Sequence, residues 1–432
     1  MRGLGLGVIA LMAWLSPACA GPNSSALPDA SHAAGPCPIA VAVRASETDG
    51  VTSLVFDLDR PVQIDAFLLD KPDRLVVEMP KVDFELDPAN ARLEQTGIGL
   101  IHSFRYGLFA PGRSRIVVDL GGPVSLRRAS VDSIAGGDPS RLVIELARSD
   151  RSTFKAALRR SSDVVASQAA PLPSEPPAGG PAKPTIVIDP GHGGVDPGAS
   201  GADGVTEKSV VFDFASALAD KLRASGRYTV FLTRTGDQFV SLADRVKVAQ
   251  DSGANLMVSI HADTLSDPSV NGATVYTAAD RASDAEAASV EASQNRADEV
   301  AGLETTPDPS GVSDILFDLT RRETRTYAHL FQRNLIGYWQ KIARLNKRPD
   351  RSAGFKVLQA PDVPSVLLEL GYLSSERDSK LLVSPEWRDK TTAAVASSID
   401  AFFSQRRSTT LAASLPGTVI LSDKVVAVQP HP

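Results

Sequence analysis

Four residues in this sequence have types and surroundings suited to hydrolytic metal chemistry. His192 sits among glycines in Asp189-Pro-Gly-His-Gly-Gly194, and Glu207 opens an amphipathic stretch. His261 follows Leu256-Met-Val-Ser-Ile260, and Glu369 follows Val366-Leu-Leu368. Two imidazoles and a carboxylate form the donor set of a catalytic zinc shell with an open fourth position. Water at such a position becomes a nucleophile near neutral pH, and a second carboxylate can take its proton. His192, Glu207 and His261 are read as the ligands of one zinc ion, with Glu369 as general base. The reverse assignment, Glu369 as ligand and Glu207 as base, is less favoured because Glu207 lies nearer His192 in the chain.

Positioning these groups requires strands that end at one edge. The β-branched run Thr185–Ile188 reads as a buried strand that stops at Asp189-Pro190-Gly191, because proline lacks a ladder donor and glycine permits a sharp turn. Thr206 is a candidate N-cap for a helix over 207–224 whose Val211, Phe214, Leu218 and Leu222 mark the face packed on a sheet. Glu207 shares that face, and an inward carboxylate needs a cation. Lys208 points about a quarter-turn away, so a metal is the better partner. His192, His261 and Glu369 each follow the carboxyl end of a predicted strand, the rim where open α/β sheets bind ligands. Helices are also expected at 242–251, 321–345 and 386–404, alternating with strands at Thr229–Thr233, Leu256–Ile260, Thr274–Tyr276 and Ser365–Leu368. The pattern predicts an α/β catalytic domain over 185–406, with a mixed, largely parallel sheet flanked by helices. This domain contains no cysteine, which excludes soft-metal and cysteine-nucleophile chemistry, and it has no G-x-S-x-G elbow or Walker loop.

The rest of the chain divides by composition. A positive start, an apolar Leu4–Leu15 core and Ala18-Cys-Ala20 predict a cleaved export signal over 1–20, too short to span a membrane. Cleavage there would leave Cys37 as the one cysteine, without an intrachain disulfide. A disordered segment is expected over 21–38 and a small all-β domain over 39–148. In the latter, Leu54–Val62 returns as Ile116–Val124, and Arg74–Glu78 as Arg141–Glu145, which predicts a sandwich with internal pseudo-symmetry. Asp57, Asp119, Glu78 and Glu145 are read as outward residues of alternating strands. A Pro/Ser/Ala/Gly-rich linker follows over 149–184, and a tail without a convincing fold over 407–432. With 45 basic and 51 acidic residues, the chain offers no broad nucleic-acid surface. No later segment reads as a membrane span, and a monomer is expected. Arg245, beside the cap-like Ser241 and Asp244, is read as a substrate contact or a surface ion pair.

The motifs Asp189–Gly198, Glu207-Lys208, Arg234–Arg245, Ser259-Ile-His-Ala-Asp263 and Pro364–Ser374 resemble, in order, the zinc N-acetylmuramoyl-L-alanine amidases. The first domain resembles the AMIN domain, a two-sheet module that localises cell-wall enzymes. The resemblance implies hydrolysis of the amide between N-acetylmuramic acid and L-alanine in peptidoglycan. It carries the zinc-ligand role to His192, Glu207 and His261, and the catalytic glutamate to Glu369. It also implies a periplasmic enzyme of the cell-division type, autoinhibited by a helix and opened at the septum by a LytM-type activator. The insertion at 278–320 is similar to that helix in position and composition. Its thin apolar face is expected at Ala288, Ala292 and Val300, with Glu291 and Glu299 as candidates for reaching the metal. Ile315–Phe317 is read as core or as a docking surface. A zinc peptidase is the nearest alternative enzyme, lowered by the absence of H-E-x-x-H, and a non-catalytic wall-binding protein would have no use for Glu369.

Overall fold

The structure, a computed structural model, describes residues 37–86, 97–134, 139–158, 183–201, 204–303, 315–413, 418–421 and 424–427. The expected export signal and most of the expected disordered segment and linker lie outside the described residues.

The first domain is built from β1 (Ile39–Thr48), β2 (Val51–Leu58), β3 (Asp65–Leu69), β4 (Arg74–Pro80), β5 (Asp83–Phe84), β6 (Ile101–Ala110), β7 (Arg113–Leu120), β8 (Val124–Ser133) and β9 (Ser140–Arg148). They form two sheets, ordered β5-β1-β2-β9-β8 and β3-β4-β7-β6. The sequence repeat reappears as exchanged pairing. β2 of the first half pairs with β9 of the second, and β4 pairs with β7. The register is the same in both, with Asp57 opposite Arg141 and Arg74 opposite Asp119. Alternate residues from the two sheets, including Leu54, Phe56, Leu75, Val77, Ile116, Val118, Leu142 and Ile144, fill the space between them.

The expected linker begins later than the composition indicated. Asp150 accepts hydrogen bonds from the Ser152 and Thr153 amides and caps helix α1 (Arg151–Ala156), whose Phe154 is buried in the sandwich core. One apolar residue beneath a good cap is enough to dock a short helix, and averaging over a polar stretch hides it.

The second domain has a six-stranded sheet ordered β11-β10-β12-β15-β13-β14. Its strands are β10 (Thr185–Pro190), β11 (Thr229–Leu232), β12 (Leu256–His261), β13 (Ala273–Ala278), β14 (Leu345–Ala353) and β15 (Ser365–Glu369). Pairing is parallel except between β13 and β15. The helices are α2 (Glu207–Ala224), α3 (Leu242–Asp251), α4 (Ala285–Gln294), α5 (Ala297–Val300), α6 (Ile315–Trp339), α7 (Glu376–Leu382) and α8 (Pro385–Ala413). Ile188, Val258, Ile260 and Leu368 face α2, α6 and α8, while Val187, Met257 and Leu367 face α3 and α4. Both faces are covered, which explains why the central strands read as continuous apolar runs.

Two elements differ from expectation. The helix expected at 321–345 starts at Ile315 and stops at Trp339, and Leu345–Ala353 is a strand. Its polar sequence and Pro349 suit an edge, where β14 pairs with β13 alone through an irregular register. In the tail, α8 runs on to Ala413, and β16 (Thr418–Leu421) pairs antiparallel with β17 (Lys424–Ala427). No helix among the described residues is long and apolar enough to cross a membrane.

Candidate active site

The site lies at the carboxyl rim of the second sheet. His261 and Glu369 are the last residues of the adjacent parallel strands β12 and β15 and are register partners. β10 lies on the other side of β12, and the chain turns from it into His192. Glu207 reaches the same point from the first turn of α2, fully buried. The ligand atoms of His192, Glu207 and His261 lie within 4.8 Å of one another.

Glu207 holds the two imidazoles together. Its Oε1 is 3.1 Å from His261 Nδ1 and accepts the Ala262 amide at 2.9 Å. Its Oε2 accepts the Ala199 amide and lies 3.1 Å from His192 Nε2. The rings meet edge to face at 5.1 Å. Close approach here depends on Gly198, where a Cβ would come within 2.7 Å of both Glu207 Oε2 and the His192 ring. His192 itself has φ +56°, a conformation uncommon for a non-glycine residue and found mostly where surrounding structure enforces it.

The enforcing structure is a polar cage. Arg245, read from sequence as a substrate contact or surface pair, is buried instead. It donates to Asp189 Oδ1 and to the backbone carbonyls of Pro190, His192 and Val240. Its cap-like surroundings gave no sign that its side chain turns inward beneath β10. Arg234 likewise donates to the carbonyls of Pro190, Gly191, Lys208 and Gly236. Asp189 also accepts the hydroxyls of Thr233 and Ser259. Burial alone would raise its carboxyl, but Arg245 and these hydroxyls outweigh it and hold it below the usual range. Asp196 lies 2.8 Å from His192 Nδ1 and so orients Nε2 toward the cluster. Sequence reasoning assigned no role to Asp189, Asp196, Arg234 or Asp263, although the spacing of Asp196 four residues after His192 was a usable signal.

The residues fit a bound cation. His192 Nε2 approaches Glu207 without hydrogen-bond geometry, and both it and Glu369 Oε1 are buried without a hydrogen-bond partner. Burial opposes charging of His192, yet Asp196 and Glu207 raise its proton affinity well above the ordinary imidazole value. Burial keeps His261 below that value despite Glu207. Burial also opposes ionisation of Glu207, but the histidines hold it well below the usual carboxylate range. An anionic pocket lined by imidazole and carboxylate donors suits zinc.

Glu369 stands beside this cluster. Its Oε2 accepts the Asp263 amide at 3.0 Å. Burial, with the Glu207 and Asp263 carboxylates close by, pushes it well above its ordinary value. Asp263 is pushed up to about 6 by burial and by Glu207.

The insertion covers this neighbourhood with a different face from the one expected. Ala288 and Ala292 are exposed, while Ala287, Val290 and Gln294 are buried. With mostly alanine and serine to choose from, periodicity alone misplaced the face by one residue, about 100° of helix rotation. Neither expected acid reaches the site. Glu291 lies against Gly354, and the Glu299 side chain accepts from Arg296. Gln294 does: its Nε2 donates to Asp263 Oδ2 at 3.3 Å, and its Oε1 is buried without a partner. The side chains of Ile315–Phe317 lie outside the described residues.

A family model described as N-acetylmuramoyl-L-alanine amidase matches residues 186–401, and one described as AMIN domain matches residues 42–152. The N-acetylmuramoyl-L-alanine amidase AmiA of Salmonella typhimurium is 38% identical over 219 residues, 50% of this chain and 75% of that protein. The amidase AmiC of Neisseria meningitidis serogroup B is 31% identical over 367 residues, 81% of this chain and 86% of that protein. Among solved structures, the amidase AmiC2 of Nostoc punctiforme aligns with 52% of this chain and 99% of its own at 27% identity, with a TM-score of 0.38.

Proposed function

The chain belongs to the N-acetylmuramoyl-L-alanine amidase family and is a peptidoglycan amidase, and from that premise we propose a mechanism using one zinc ion. His192, Glu207 and His261 would hold the ion, with Glu369 as general base. The observation that carries this reading is the convergence of the three donor side chains within 4.8 Å, beside a Glu369 that is the register partner of His261.

A zinc ion at this position supplies Lewis acidity toward the amide carbonyl and makes water a nucleophile near neutral pH. Glu369 takes the proton on its unpartnered Oε1 while the Asp263 amide keeps Oε2 in place. The protonated Glu369 then passes the proton to the alanine nitrogen as the amide breaks. Asp196 keeps His192 Nδ1 occupied, and Arg245 and Arg234 hold the backbone that carries the ring.

The finer reading extends to location and control. The chain acts in the periplasm after export, with the AMIN-like domain over 39–148 directed to the wall and the amidase domain over 185–406. Helix α4 keeps the enzyme inactive until a LytM-type activator displaces it at the septum. Gln294 against Asp263 supports that reading. Product analysis of digested peptidoglycan tests the reaction. Free stem peptides released by the wild type and lost in Glu369→Ala support it, whereas cuts between amino acids would replace it with a peptidase.

A further inference from the structure

The centre of the outer face of the β3-β4-β7-β6 sheet is buried. Leu69, Val76 and Val117 from this face share an apolar cluster with Ala301 of the insertion and with Val195 and Phe239 of the catalytic domain. Val195 lies in the loop between His192 and Asp196. The sandwich contains its own control for this burial. The repeat relates Val117 to Val55 and Val76 to Val143, which occupy the same positions on the other sheet. Val55 and Val143 are only partly buried, whereas Val76 and Val117 are fully so. Sandwich packing alone does not bury this face; the catalytic domain does.

The polar contacts are equally directed. Arg74 donates to the carbonyl of Glu299, Arg105 to that of Val300, and Arg115 to those of Ala301 and Gly302. These carbonyls lie in the last turn of α5 and just beyond it, where intrahelical donors become scarce and charged donors bind strongly; the Glu299 carbonyl also accepts the Gly302 amide. Gly302, at φ +75°, lies so close to the sheet that a Cβ would meet Val76 and Val117 at 3.0 and 3.2 Å. Glu78 and Asp119 hold the arginines ready, Glu78 pairing with Arg113 and Arg115, and Asp119 with Arg105. The outward acids of the sequence reading thus face a protein surface on this sheet. Nearby, Phe109 stacks on Phe239 at 5.8 Å, and the Leu108 carbonyl accepts the Phe239 amide.

We infer that this sheet face is the docking surface for the end of the insertion, and that the AMIN-like domain thereby latches α4 in place. Only Asn295 and Arg296 separate Gln294, at the site, from α5, on the sheet. The inhibitory consequence rests on the proposed role of α4, but the docking does not.

The test uses the full chain carrying Val117→Lys. A lysine there is solvated when the sheet is undocked and incompatible with the closed contact, so the sandwich can fold while the latch cannot form. Hydrogen exchange across 285–303 should accelerate at least tenfold, whereas Val55→Lys, at the equivalent position on the free sheet, should leave it unchanged. Unchanged exchange in a folded Val117→Lys overturns the docking surface. Faster exchange with several-fold higher basal release of stem peptides supports both docking and latching. Faster exchange with wild-type activity keeps the docking surface and overturns the latch. If Val117→Lys does not fold, Arg105→Ala at the sheet's rim, where the Ser103 hydroxyl still serves Asp119, is read in the same way.

Discussion

His261 and Glu369 end neighbouring parallel strands in the same register, so their side chains leave the sheet together. The pairing sets the imidazole proposed to hold zinc beside the carboxylate proposed as the base, without a loop between them. Such rigidity suits a base that must meet a nucleophile at a fixed position. It also separates the two roles experimentally, because either side chain can be changed without moving the strand that carries the other.

Glu369→Gln should abolish turnover while leaving the zinc site filled. Loss of a positioned general base costs roughly 10²–10⁴-fold in rate. Stem-peptide release and metal content, measured on the same preparation, should show activity lost and stoichiometric zinc retained. Loss of both would instead make Glu369 a ligand.

Chelation should lower the melting temperature of the wild type, and added zinc should restore it. A ligand at 100 times its dissociation constant stabilises the fold by about 2.7 kcal/mol. His261→Ala should show neither shift. Asp196→Asn should bind zinc roughly 10–100-fold more weakly, because His192 loses the partner on Nδ1. Wild-type affinity in that variant would refute the orienting role.

Acid should erode the contribution of Asp189. Its folded carboxyl lies below its unfolded value, so the unfolded chain binds more protons between the two. The stabilisation is present above the unfolded value of about 3.9 and is lost as pH falls through the folded one. Asp189→Asn, which strands Arg245, should cost about 3–5 kcal/mol near neutral pH. Denaturation midpoints from pH 3 to 7 should then fall less steeply toward acid in the variant than in the wild type.

Gln294→Ala should raise basal amidase activity several-fold, since its amide is a contact of the insertion with Asp263, beside that of the Ser293 hydroxyl. Glu291→Ala, whose side chain lies against Gly354, should not. Equal effects of the two substitutions would show that the helix acts by bulk rather than through Gln294.

The residues that converge at the sheet rim were legible along the chain because their signals are local. A β-branched run ending in Asp-Pro-Gly, a glycine-flanked histidine and a glutamate on the apolar face of a helix are short-range patterns, and together they named His192, Glu207, His261 and Glu369. The repeat named the pseudo-symmetric sandwich in the same way. Other features were decided only by packing over distance. Arg245 had the local surroundings of a surface residue, and its burial follows from Asp189 and the carbonyls of Pro190 and His192, more than fifty positions away in sequence. The alanine-rich insertion carries too weak an apolar stripe to choose its own face, so the surfaces beneath it chose Val290 and Gln294. The polar strand β14 exists because β13 offers it an edge. The two sandwich sheets carry nearly the same motif, yet only one is buried against the catalytic domain. On that sheet Arg74, Arg105 and Arg115 meet the carbonyls at the end of α5 and beyond it.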